Sequence, residues 1–230
     1  SGPGRPAGRL FVVMTSADVT LLALHGLRLT GLAEAGAVAE VFGVDPGPIE
    51  VELKALADDD LVVRRDRPPR TGWLLTPEGR AEAARLVAAE LDAAGARPAL
   101  RTWYDRFPPL NRRLLDVCCR WQLRDPQAGR LNDHRDPAYD RSVVAELIAL
   151  DADAQPFCAG LAGVLSRFGC YGPRLAYALG RVSAGATEYI DRPLVGSYHT
   201  VWFELHEDLL ATLGLDRASE TARLARPTVA

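Results

Sequence analysis

The run Asp60-Leu61-Val62-Val63-Arg64-Arg65-Asp66-Arg67-Pro68-Pro69-Arg70-Thr71-Gly72-Trp73-Leu74-Leu75-Thr76-Pro77-Glu78-Gly79-Arg80 decides how the first third of this chain folds. Two strand-like stretches, residues 61–65 and 72–75, flank a connector of prolines and arginines, which is the pattern of a β-hairpin with a basic tip. Thr76 and Pro77 then open a helix. The threonine oxygen can cap a first-turn N–H, and proline gives up an N–H that has no partner there in any case.

Three short helices precede the hairpin. The first spans 17–27 with Ser16 as its N-cap, and Val19, Leu21, Leu22, Leu24 and Leu27 form one broad apolar face. Residues 28–32 read as a short strand or an irregular connection. The second helix, 33–42, packs Ala37, Val38, Val41 and Phe42 and stops at Gly43. Val44-Asp45-Pro46-Gly47 is turn chemistry. The third helix runs from Pro48 to Asp58 and turns Ile49, Leu53 and Leu56 inward.

This order of helix, helix, turn, helix, hairpin, helix resembles MarR-type winged helix-turn-helix regulators. In that family a Leu-Val strand, a basic wing and Leu-Thr-x-x-Gly follow one another, as Leu61-Val62, the wing arginines and Leu75-Thr76-Pro77-Glu78-Gly79 do here. The match covers about a quarter to a third of the chain. Asp60 departs from it, because the family usually closes the recognition helix with glycine, although aspartate tolerates left-handed backbone better than most residues. The resemblance implies a dimer on palindromic double-stranded DNA, with the third helix in the major groove and the wing on the backbone or minor groove.

The side chains divide on that implication. The outward positions of the third helix are Gly47, Pro48, Glu50, Val51 and Lys54, with Glu52 on a flank, and only Lys54 is a base-reading or phosphate-binding type. Residues 1–80 carry nine basic and eleven acidic side chains, which offers phosphates little in total. The wing is different. Arg64, Arg65, Arg67 and Arg70 lie within seven residues, joined by Arg5 and Arg9 of the arm, and form either a phosphate patch or a solvated turn.

Beyond Pro77 the pattern is helical, with helices predicted at 77–94, 97–106, 109–123, 137–168 (broken near Pro156), 172–184 and 196–213. The polar loop 124–136 is long enough to suggest a function. The expected fold class is mainly α with a small β-hairpin. The expected divisions are a flexible arm (1–15), a winged helix with its following helix (16–94), a helical domain (95–218) and a loose tail (219–230). Leu131-Asn132-Asp133-His134 and Ser197-Tyr198-His199-Thr200-Val201-Trp202-Phe203-Glu204-Leu205-His206-Glu207-Asp208-Leu209-Leu210 resemble a helical region of actinobacterial proteins, some of them related to pyruvate phosphate dikinases. That resemblance implies an alternative function, a protein-interaction module that partners or regulates a PEP-dependent phosphotransferase.

In this region Trp103, Tyr104, Arg106, Asn111, Trp121 and Arg124 combine flat rings with forked donors, the chemistry of a pocket for a small anionic effector. His134, Tyr139, Tyr198, His199, Trp202 and His206 extend the set, and ordinary interhelical packing accounts for the same residues equally well. His199, Trp202 and His206 share one helix face at i, i+3 and i+7. The two histidines then stand about 10 Å apart along the axis, too far to chelate a metal together. No metal and no cofactor are expected. The sequence lacks H-E-x-x-H, G-x-G-x-x-G, a Walker loop and G-x-S-x-G, so an enzyme using His199 or His206 as acid or base ranks third.

Composition fits this picture. The chain has 230 residues, 25% of them charged, a net charge of −3, and no apolar run of membrane-spanning length. The apolar stretch at 10–14 is too short for a secretory signal. Cys118, Cys119, Cys158 and Cys170 form no C-x-x-C pair and read as buried free thiols in a cytoplasmic protein.

Overall fold

In the first helix, α1 (Ser16–Thr30), the cap is Thr15 and not Ser16, because Thr15 and Asp18 close a reciprocal capping box. The Thr15 hydroxyl accepts from the Asp18 N–H, and the Asp18 carboxylate accepts from the Thr15 N–H at 2.9 Å. A computed structural model describes residues 15–193 and 195–215, so the arm, with Arg5 and Arg9, and the tail fall outside the described residues. The helix absorbs residues 28–30, and Ala33, expected to open the second helix, instead forms a single sheet-like bridge with Trp73.

α2 (Ala35–Phe42) buries Ala35, Val38, Ala39 and Val41. Ala37, expected inside, is exposed at the margin of that stripe, one turn before Val41. α3 (Pro46–Asp58) starts at Pro46, where the Asp45 carboxylate caps the Gly47 N–H, and it buries Ile49, Leu53 and Leu56. Asp60 adopts left-handed backbone, φ 58°. β1 (Val62–Arg67) and β2 (Arg70–Leu75) form the antiparallel hairpin, two residue pairs longer at the tip than expected, Asp66 opposite Thr71 and Arg67 opposite Arg70. Ala33 and Trp73 exchange both backbone hydrogen bonds, at 3.1 and 2.8 Å, which docks the hairpin onto the α1–α2 connection. Gly72 is required there: a Cβ at this residue would lie 2.7 Å from the Ala33 carbonyl.

α4 (Pro77–Ala93) is capped by Thr76, as its sequence indicates. It spans two separate clusters of buried apolar side chains. Ala83 belongs to the first, with Leu24, Leu27, Val38, Ile49, Leu53 and Trp73. Leu91 belongs to the second, which gathers Leu100, Phe107, Leu147, Phe157, Leu175, Trp202 and Leu205 among others. The second cluster is built by α5 (Arg97–Tyr104), α6 (Phe107–Gln122), α7 (Pro137–Val164), α8 (Tyr171–Ser183) and α9 (Tyr198–Leu213), with short 3-10 turns at Ser166–Cys170 and Thr187–Tyr189.

Two expectations fail in this part. α7 runs unbroken through Pro156, because Pro156 and Ala152 both lie on the exposed face, where water can replace the N–H that proline lacks. The loop 124–136 carries a second small hairpin, β3 (Leu123–Asp125) with β4 (Arg130–Leu131). Its turn signals resemble those of an irregular loop, and the strands are too short to show a period.

Cys118 and Cys158 are buried, Cys119 and Cys170 half-buried, and none is in a disulfide. Burial pushes the thiols of Cys118, Cys158 and Cys170 up to about 12, so they stay protonated and unreactive near neutral pH. Among the described residues no helix is long and apolar enough to cross a membrane.

Candidate nucleic-acid interface and helical-region site

Strand alternation sorts the four arginines of the hairpin. Arg64 points to the side of Asp66 and Trp73, where its two terminal nitrogens donate to Glu34 at 2.6 and 2.9 Å and its Nε donates to Asp66 at 2.8 Å. Its guanidinium lies 5.4 Å from the Trp73 ring, and Thr71 donates to the same Glu34. The hydrogen bonds from Arg64 hold the Glu34 carboxyl below the usual carboxylate range. Arg64 is therefore neutralised where it stands.

The other face carries Arg65, Arg67 and Arg70, all exposed, with Arg67 directly across the ladder from Arg70. Among the described residues none of these three makes an ion pair or a side-chain hydrogen bond. Like charges directly opposite on a hairpin are unfavourable, so this face is held in register against its own repulsion.

α3 also differs from its sequence reading. Glu52 does not flank the open surface as a free charge, because it accepts from the Thr20 hydroxyl at 2.6 Å and is tied to α1. Glu50 pairs with Lys54 at 3.1 Å along the helix. The exposed surface that remains is Gly47, Pro48, Val51 and Lys54, small and close to neutral, with Val51 69% exposed.

The candidate effector residues separate into three places. Tyr104, Tyr198 and Trp202 are core. Trp202 stacks on Phe107 at 5.1 Å and donates its Nε1 to Asn111, while His206 rests on Phe107 at 4.7 Å. Tyr198 donates to Asp151 at 3.0 Å. A second group is Trp103 with the Arg106 guanidinium 4.6 Å above it, seated on Gly160. His199 is half-buried at the start of α9, apart from both.

The third group does come together. The Trp121 and His134 rings lie 4.4 Å apart, and Arg124 lies 3.9 Å over Tyr139. His134 sits in left-handed backbone, φ 56°, with its Nδ1 3.1 Å from Asp140. Asn132 donates to the Trp121 carbonyl and to Asp140, which pins the turn. Trp121 and His134 wall a cavity of about 680 Å³ with Thr187, Glu188, Asp191 and Arg192. Among the described residues no group of three His, Cys, Asp or Glu side chains is placed to hold a metal ion.

A further cluster, not singled out in the sequence, joins the two cores. His25 of α1 is fully buried with its Nε2 2.9 Å from Asp208 of α9. Arg167 donates to Glu90 of α4 at 2.6 Å, to Asp208 and to Thr212. The Tyr171 hydroxyl donates to the second Asp208 oxygen at 2.8 Å. Burial drives the His25 imidazole below its ordinary pKa and keeps it neutral. Burial alone would raise the Asp208 carboxyl, but the charge of Arg167 and the nearby His25 outweigh it and hold Asp208 below the usual range. The sequence signal was present but subtle: His25 follows Leu24 on the apolar face of α1, and Asp208 falls between Leu205 and Leu209 on that of α9.

No protein-family model matches this chain, and neither the curated proteins nor the solved structures contain a match to it.

Proposed function

We propose that this chain is a cytoplasmic DNA-binding transcriptional regulator with a MarR-like winged helix-turn-helix spanning α1 to α4. In this reading β1 and β2 are the wing, the Ala33 bridge docks it onto the helices, and α3 is the recognition helix. The observation that carries the proposal is the outer face of the hairpin, where Arg65, Arg67 and Arg70 stand exposed and uncompensated while Arg64 is consumed internally. Three unpaired guanidinium groups on a protruding hairpin suit phosphates or a narrow minor groove. On α3, Val51 and Pro48 can meet a thymine methyl and Lys54 a base edge or phosphate. The helical region then senses a small effector or forms the homodimer that presents two wings.

The test is binding of a duplex from the chain's own promoter region, followed by anisotropy across a salt series. Tight binding at about 50 mM salt with a steep salt dependence is expected. Replacing Arg65, Arg67 and Arg70 together by alanine is expected to reduce the log–log salt slope by up to roughly 2.7, at about 0.9 per phosphate contact. Absence of binding at low salt sinks the proposal. It would favour the second reading, a protein-docking surface centred on Val51, which is 69% exposed on α3.

A further inference from the structure

We propose that the cavity beside the β3–β4 hairpin binds a small oxyanion, a molecule bearing a carboxylate or phosphate group. The inference deepens the effector-sensing reading of the helical region and rests on that reading alone, not on DNA binding.

The cavity measures about 400 Å³, the size of a small-metabolite site, and three arginines line it: Arg124, Arg130 and Arg135. Arg124 is the organised one. Its guanidinium is laid on the Tyr139 ring at 3.9 Å, and its Nη2 donates to Asp136 at 2.8 Å. Tyr139 is itself fixed, since its hydroxyl donates to the backbone carbonyl of Arg120 at 3.1 Å, with that of Leu123 also within reach at 3.4 Å. The remaining arm of the fork, Nη1, is buried without a hydrogen-bond partner. Arg124 as a whole keeps about a third of its side chain exposed and lines the cavity, and the planar fork of a guanidinium is shaped to take the oxygens of a carboxylate or phosphate.

The two carboxylates of the cavity do not cancel this preference. Asp136 is occupied as the N-cap of α7, accepting from the Ala138 and Tyr139 N–H groups as well as from Arg124. The backbone hydrogen bond from Tyr139, then the one from Arg124, holds its carboxyl below the usual range, so it is already compensated. Asp133 accepts from the Arg135 N–H and lies 3.7 Å from its Nε. Arg130, exposed on β4, has no ion pair among the described residues. Arg124, which spends one nitrogen on the compensated Asp136, and the unpaired Arg130 are thus the two cationic side chains that line the cavity for an incoming anion.

Calorimetric titration of the full chain with inorganic phosphate, pyrophosphate and citrate, at ionic strength held constant with chloride, tests this. Saturable binding of at least one of the three is expected, and comparison of phosphates with citrate tells which group the site takes. Arg130→Ala, at an exposed position, is expected to weaken binding about tenfold. Arg124→Lys keeps the charge but removes the fork, and the same loss is expected. Arg101→Ala, a surface arginine on α5, is expected to leave the affinity unchanged. No saturable binding, or binding that survives both pocket variants, overturns the proposal. Duplex binding measured on the same preparations separates the two readings: a chain that binds duplex and no anion fails only this one.

Discussion

Arg167 and the three arginines of the hairpin's outer face carry the same side chain into opposite surroundings. Arg167 has a side chain only 5% exposed, and it donates to Glu90 on α4 and to Asp208 and Thr212 on α9. Arg65, Arg67 and Arg70 are exposed and have no acceptor among the described residues. A buried guanidinium can exist only where the fold supplies its anions, so Arg167 belongs to the architecture. An exposed cluster of like charge contributes nothing favourable to the fold. Arg64, one residue from Arg65, shows that the hairpin can satisfy an arginine internally where Glu34 is in reach.

The largest effect comes from breaking the buried member of this comparison. Arg167→Ala leaves Asp208 and Glu90 without their cation, and Asp208 is fully buried. Removing one partner of a buried pair typically costs about 3–5 kcal/mol, a large share of a domain's stability. Urea unfolding of the variant is expected to show that loss, and a midpoint within error of the parent would remove Arg167 from its structural role. The hairpin should behave in the opposite way. The triple alanine variant at Arg65, Arg67 and Arg70 is expected to melt within about 2 °C of the parent, or slightly higher as Arg67 and Arg70 stop repelling each other. A drop of many degrees would show that these side chains support the fold and would weaken the DNA reading.

The two ends of the comparison were not equally legible in the sequence. The hairpin and the helix after it rest on short-range chemistry: β-formers around Pro68-Pro69, and Thr76-Pro77 at a helix start. Both are visible within twenty residues. The junction rests on His25, Glu90, Arg167 and Asp208, which meet only when α1, α4 and α9 pack, and no local pattern links them. The effector set illustrates the same limit. Helical spacing placed His199, Trp202 and His206 on one face, but it cannot distinguish a face that lines a cavity from one that packs on the core, and Trp202 is buried in the core with the two histidines half-buried. Trp121, Arg124, His134 and Tyr139 converge because the loop 124–136 folds back as β3–β4, which strands this short do not announce. Glu52, placed on a flank of α3 by its spacing, is tied to α1 by Thr20, a partner 32 residues away that no local pattern announces.

Acidification sharpens the contrast further, with a smaller effect. His25 has a folded pKa below its ordinary 6.5, so the unfolded chain takes up a proton that the folded chain resists. The stabilising contribution is present above about pH 6.5 and is lost as pH falls toward the folded value. Asp208 is also depressed, so its contribution is present above about pH 4 and fades below that. Melting curves between pH 7 and pH 5 are therefore expected to fall in the parent chain and to flatten in His25→Gln. The triple hairpin variant should follow the parent profile, since arginine does not titrate there. A His25→Gln profile as steep as the parent's would place the acid sensitivity elsewhere.

The smallest difference, and the most selective, lies between neighbours on β1. Arg65 is free of partners among the described residues, whereas Arg64 already shares its charge with Glu34 and Asp66. If the outer face meets phosphates, Arg65→Ala removes one contact and lowers the salt slope of duplex binding by roughly 0.9, and Arg64→Ala leaves that slope unchanged. Net charge is altered equally by the two substitutions, so a general electrostatic attraction predicts equal effects from both. Only a site built on one face of the hairpin separates them. Equal losses would mean that the duplex reads the charge of the tip as a whole, and that the alternation seen in β1 and β2 has no bearing on binding.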